Sequence, residues 1–130
     1  MAENEANSFI QVFRFVDDTS KPGRVLSTAK IGDVYMTRLT LEPGVTSGNY
    51  YHKQTRVMFY SSGSPVLAAF EHVRTKERKE ILLQPRELAI HWPEYVAIAT
   101  KNVGSEPAVL VFFSNNPLRL PEDTFEYRVL

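Results

Sequence analysis

The chain has no cysteine, which excludes a disulfide framework, a thiolate metal site and a cysteine nucleophile. It has no charge excess either: fifteen Lys and Arg stand against fifteen Asp and Glu. Nothing therefore favours a sequence-independent polyanion, and no nucleic acid partner is expected. No apolar run reaches membrane-spanning length, and the opening MAENEANSF lacks the basic-then-apolar order of a signal peptide. The expected location is the cytoplasm, with no membrane partner. Phosphate loops of the GxGxxG or GxxxxGKS type are missing, and Ser, His and Asp are scattered without a nucleophile elbow, which leaves serine hydrolysis a poor candidate. No window carries a convincing helical period.

What is present is a β pattern. At 130 residues, 43% apolar and 23% charged, the chain is long enough for one substantial core and too short for two. Residues 1–7 are small and polar and read as a flexible N-terminus; residues 8–130 read as one domain. Candidate strands are 9–15, 24–28, 33–41, 56–60, 66–73, 80–83, 87–92, 96–100 and 108–114. Turn chemistry divides them, as at Lys21-Pro22-Gly23, Glu42-Pro43-Gly44 and Asn102-Val103-Gly104. Alternation puts Val66, Ala68, Phe70 and His72 on one side, Leu88, Ile90 and Trp92 on one side, and Val109, Val111 and Phe113 on one side. VLVFF at 109–113 is apolar on both faces, so one face lines a core and the other meets a further strand or subunit. Many short strands with regular turns imply an all-β sandwich or jelly roll. The charged RTKERKE at 74–80 reads as a solvated hairpin.

The segment GVTSGNYYHKQTRVMFYSSG, residues 44–63, resembles the first signature of the cupin superfamily, Gly-x5-His-x-His-x3-4-Glu-x6-Gly. Gly44 and Gly63 stand at the glycines and His52 at the second histidine; Tyr50 replaces the first. The glutamate position falls on Arg56 counting back from Gly63, or on Val57 if the hairpin is one residue shorter. The second signature lies over residues 87–102, keeping Pro93 and Asn102 while its histidine falls on Ile98. The resemblance implies a single-domain cupin jelly-roll β-barrel, a double-stranded β-helix. Within the superfamily GVTSGNYYHK, FEHV at 70–73 and PEDTFEY at 121–127 resemble the nucleotide-sugar branch: the cupin domain of capsular polysaccharide epimerase-reductases and the dTDP-sugar ketoisomerases. A divalent ion needs three or four converging imidazole or carboxylate donors, and one imidazole remains. The barrel is therefore expected to be metal-free, with no cofactor.

Tyr50 and His52, two apart on an extended segment, share a face. His52 could act as general base and Tyr50 as proton donor beside a carbonyl; the alternative is that both line a barrel mouth. The histidine that the resemblance makes the catalytic base falls on Tyr50, a poor base at neutral pH. Arg56 would carry a permanent cation into the cavity, to meet a ligand anion or an internal acid such as Glu71 or Glu87, unless a shifted register exposes it. Arg38 could add a second cation or lie on a solvated face. Tyr60 and Trp92 are candidate sugar or nucleobase platforms or core aromatics. His72 is a ligand-binding candidate, or a core or interface histidine. The first expectation is a barrel that binds an anionic small-molecule sugar or nucleotide sugar, with epimerisation or keto isomerisation if it is an enzyme. The alternative is a non-catalytic cupin that acts as binding or regulatory partner of a sugar-pathway enzyme. A homodimer is expected in both.

Overall fold

Runs that alternate apolar and polar side chains pair into two antiparallel sheets, because each such strand has one face to hide. A computed structural model describes residues 12–130, with Ile31 described for its backbone alone. The first sheet has the order β1-β2-β3-β10-β5-β8, with β1 Val16–Asp18, β2 Arg24–Ile31, β3 Val34–Leu41, β5 Val57–Gly63, β8 Ala89–Trp92 and β10 Ala108–Ser114. The second has the order β11-β4-β9-β6-β7, with β4 Thr46–Tyr51, β6 Val66–His72, β7 Arg78–Leu83, β9 Val96–Asn102 and β11 Phe125–Glu126. One 3₁₀ turn, Pro121–Asp123, separates β10 from β11. The sheets face each other as a jelly-roll sandwich, as the strand pattern implied. No helix among the described residues is long and apolar enough to cross a membrane.

Register assembles the core in rows. Thr37, Phe112, Phe59 and Ile90 lie side by side across β3, β10, β5 and β8, and Leu26, Leu39, Leu110 and Ser61 form the next row. Across the interior, β4, β6 and β9 contribute Tyr50, Val66, Ala68 and Ile98. Each large apolar side chain so buried contributes roughly 1.5–3 kcal/mol of transfer free energy. A second cluster lies on the outer face of the second sheet, where Ala69, Ala97 and Ala99 are covered by Tyr127, Val129 and Leu130 of the tail.

Three elements depart from the sequence pattern. Candidate strand 9–15 falls partly outside the described residues, and 12–15 form no strand; the first strand is the exposed Val16–Asp18. β4, with the sequence TSGNYY, has a Ser-Gly-Asn centre that disfavours a strand and is held by its ladder to β9. β11 is two residues long and exists through pairing with β4. The 74–80 segment is exposed, as expected, and carries the turn into β7. The N-terminal segment 1–7, expected to be flexible, lies outside the described residues.

Candidate functional site

β4 ends in Tyr50, Tyr51 and then His52, and the β-bulge between Gly48 and Tyr50 sets which side chains turn inward. Gly48 has φ 109°, and a Cβ there would stand 2.7 Å from the Ile98 carbonyl oxygen, so β4 and β9 approach closer than a side chain allows. Asn49 follows at φ 62°. Its Oδ1 accepts the Val129 and Leu130 N–H groups at 2.7 and 2.9 Å, tying the C-terminal tail to the bulge.

Tyr50 and His52 both enter the core, as their spacing implied, and meet Trp92. The Tyr50 and His52 ring centroids lie 5.3 Å apart, and Trp92 lies 5.6 Å from the first and 5.0 Å from the second. Tyr50 pairs with Ile98 across the ladder. Val57, 1% exposed, starts β5 pointing inward beside Trp92. The positions that resemble metal ligands thus hold a phenol, an imidazole and two alkyl groups. That set does not fit a divalent ion, which requires several oxygen or nitrogen donors. Among the described residues no group of three His, Cys, Asp or Glu side chains converges elsewhere.

His52 Nδ1 lies 2.6 Å from the Asp123 carbonyl oxygen. A carbonyl can only accept, so Nδ1 carries the proton and Nε2 keeps a lone pair that is buried without a hydrogen-bond partner. Burial pushes the imidazole pKa below its ordinary value, outweighing the Asp123 carbonyl bond and the Asp123 charge. Burial also raises the Tyr50 phenol, against the opposing pull of Arg119 and Arg24. Both groups are held neutral and hidden, which suits packing better than proton transfer.

What hides them is segment 117–124, which crosses between the sheets after β10. Leu118 drops into the core, and the Arg119 guanidinium stacks 4.8 Å from the Tyr50 ring centroid. Asp123 fastens the segment: its carboxylate accepts from the N–H groups of Lys53, Gln54 and Thr55 and from the Thr55 hydroxyl, at 2.7 to 3.1 Å. Burial alone would raise this carboxyl, but the Thr55 hydroxyl and the three N–H groups overcome it and hold the pKa below its usual value.

Beside the segment a cleft of about 710 Å³ opens over Tyr50, Gly48 and Asn49, walled by Arg119, Tyr127 and Arg128 and flanked by Lys21, with Glu126 as its carboxylate. A narrower recess of about 210 Å³ shares Lys21, Gly48, Asn49 and Arg119 with it and reaches Arg24, Thr46 and Ser47. No ion pair joins Lys21, Arg119 or Arg128 to a carboxylate among the described residues.

The remaining sequence candidates lie elsewhere. Arg56 is exposed outside the barrel, where its N–H donates to Asn115 Oδ1; it precedes β5, and Val57 takes the inward place. The shorter hairpin register is the one adopted, and one residue of slip reverses the facing. Arg38 and Tyr60 lie on the outer face of the first sheet, in one row across Val111, with the Arg38 guanidinium over Phe15 at 4.6 Å. Neither reaches the cavity. His72, half-buried at the end of β6, accepts the Arg74 and Thr75 N–H groups on Nδ1, a turn-capping role. Trp92 is fully buried with its Nε1–H on the Val96 carbonyl, a core aromatic. Sequence reasoning does not single out Lys21, Arg24, Arg119 or Asp123 as site residues. Of these only Asp123 lies in a segment with a family resemblance, PEDTFEY; the others are hidden in turn and strand punctuation.

Solved structures share this fold. The capsular polysaccharide assembling protein CapF from Staphylococcus aureus superposes on 91% of the chain at a TM-score of 0.80 and 19% identity, over 35% of its own length. Oxalate oxidase in complex with glycolate superposes on 76% of the chain at 0.66 and 18% identity, over 54% of its length. Oxalate decarboxylase OxdC from Bacillus subtilis does so on 75% at 0.67 and 16%, over 27% of its length. These are cupins, and the chain has their jelly-roll fold. It spans about a third of the length of CapF. No family model and no curated protein matches it in sequence.

Proposed function

We propose that this cupin-fold chain is a cytoplasmic binding module for an anionic, sugar-like small molecule, with a nucleotide-linked sugar as the favoured class. The observation that carries the reading is the cleft, where Lys21, Arg119 and Arg128 oppose, among the described residues, the one carboxylate of Glu126 beside the Tyr127 ring. Aromatic faces accept the apolar side of a sugar ring while cations attract its anionic substituent. The shared fold with a capsular polysaccharide assembling protein supports the sugar class by analogy.

Catalysis by Tyr50 and His52 is not favoured. A base needs its lone pair within reach of a substrate proton, and His52 Nε2 is enclosed by the core while its other nitrogen is engaged. In calorimetric titrations the parent protein is expected to bind a uridine or thymidine diphosphate sugar and, in a parallel assay, to leave the corresponding keto sugar unchanged. Turnover by the parent that disappears in a folded His52→Ala variant would overturn the binding-module reading. Absence of any binding would remove the ligand class.

A second observation favours a partner. Met58 and Phe113, 54% and 40% exposed, lie side by side on the outer face of the first sheet, with Tyr60 and Val34 nearby. We propose that a second copy covers this face as a homodimer, since burying such a row is worth roughly 25 cal/mol per Å² of apolar area. Sedimentation equilibrium is expected to show a dimer that Met58→Glu converts to monomer. A parent protein that sediments as a monomer at micromolar concentration rejects it.

A further inference from the structure

We propose that the recess between the β1–β2 turn, the bulge of β4 and Arg119 is a phosphate subsite, so that the ligand of the adjoining cleft bears a phosphate or diphosphate. The inference rests on the small-molecule reading above and narrows it. Lys21, Arg24 and Arg119 all line this recess, together with Thr46, Ser47 and the side-chain-free Gly48. Among the described residues no carboxylate lines it.

Arg24 is the informative member. Its side chain is 4% exposed, yet its one ion pair among the described residues is a 3.2 Å contact from Nη2 to Asp18, whose side chain is 48% exposed and also accepts the Ser20 N–H. Arg24 Nε is buried without any hydrogen-bond partner among the described residues. A guanidinium so enclosed should have its charge matched closely, because removing it from water is costly. A single half-exposed carboxylate matches it incompletely, and two further unpaired cations beside it add repulsion. A bound dianion would relieve this three-way repulsion, and the planar donor fork of arginine fits a phosphate better than an ammonium does.

Geometry joins the two sites. Recess and cleft share Lys21, Gly48, Asn49 and Arg119, so a molecule anchored by its phosphate in the recess extends past Arg119 towards Tyr127 and Arg128.

The test uses inorganic pyrophosphate on the full chain, with sodium sulfate at matched ionic strength and free N-acetylglucosamine as comparators. Binding is followed by calorimetry and by the amide shifts of Gly48 and Asn49. Saturable binding of pyrophosphate is expected, weakened at least tenfold by Lys21→Ala and by Arg119→Gln and unchanged by Lys79→Ala on the distant β7. Arg24→Lys is informative only if its melting shows a folded chain, so the two more accessible variants decide the matter. Equal binding of sulfate, unmoved Gly48 and Asn49 amides, or equal losses in Lys79→Ala would each overturn the subsite. If pyrophosphate binds there and a uridine diphosphate sugar binds no more tightly, the subsite stands and the sugar reading falls. If the nucleotide sugar binds equally well to Lys21→Ala and Arg119→Gln, the sugar reading stands and the subsite falls.

Discussion

Replacing Asp123 by Ala removes the fastening of segment 117–124, and its cost follows from which donors are stranded. The carboxylate accepts from Lys53 N–H at 2.8 Å, Gln54 N–H at 3.1 Å, Thr55 N–H at 2.8 Å and the Thr55 hydroxyl at 2.7 Å. Lys53 and Gln54 are exposed, so water replaces the lost acceptor for them; Thr55 is 0% exposed and its donors cannot turn to water. Hydrogen bonds to a charged partner contribute about 1.5–3 kcal/mol each, so two stranded donors set an expected loss of about 3 kcal/mol, with ~6 as an upper bound. In urea, with a slope of roughly 1–3 kcal/mol per molar, the midpoint should fall by about 1–3 M. Asp123→Asn keeps one oxygen acceptor and should lose about half as much. Thr55→Ala should cost less in the Asp123→Ala background than in the parent, because the two share one interaction. A loss under about 1 kcal/mol for Asp123→Ala, or strict additivity with Thr55→Ala, refutes the reasoning that these bonds hold the segment over Tyr50.

Acid should act in two stages. Burial holds His52 below its ordinary pKa of 6.5, so the unfolded chain takes up the proton first. Stability is level above that pH and declines as pH falls from there towards the lowered folded value. Thermal melts of a folded His52→Gln variant should show this first decline flattened, and a decline that persists unchanged rejects the assignment. Asp123, held below its ordinary 3.8, has the same sign of linkage: its contribution is complete above that value and is lost as pH falls through the folded pKa. Gly48→Ala should destabilise by about 2–4 kcal/mol, combining a positive-φ penalty with a forced shift of β9. A melting temperature within a degree of the parent would show that β4 and β9 separate easily there.

Strands with sustained alternation are legible in the order of residues alone. β3, β6, β9 and β10 lie within a few residues of their expected places, because burying one face rewards a period of two. The two signature glycines are legible too; Gly63, at φ 86° and with a Cβ position 2.9 Å from the Pro107 carbonyl oxygen, closes a turn that other residues would strain. β4 is harder, since its Gly, Ser and Asn carry turn signals and its extension comes from the β9 ladder. Arg56 misleads for a related reason: motif spacing admits two registers, and packing against Trp92 selects Val57 as the inward residue.

The linear sequence by itself determined an all-β domain, a shared face for Tyr50 and His52 on an extended segment, and the loss of a metal-binding donor set, because each depends on residue types at short, fixed separations. Tertiary structure alone decided that segment 117–124 seals those two side chains. It also brought Lys21, Arg24 and Arg119 to one recess. Those cations come from a turn, a strand start and a crossing segment near opposite ends of the chain, and no local periodicity encodes a meeting that only the closing of two sheets produces.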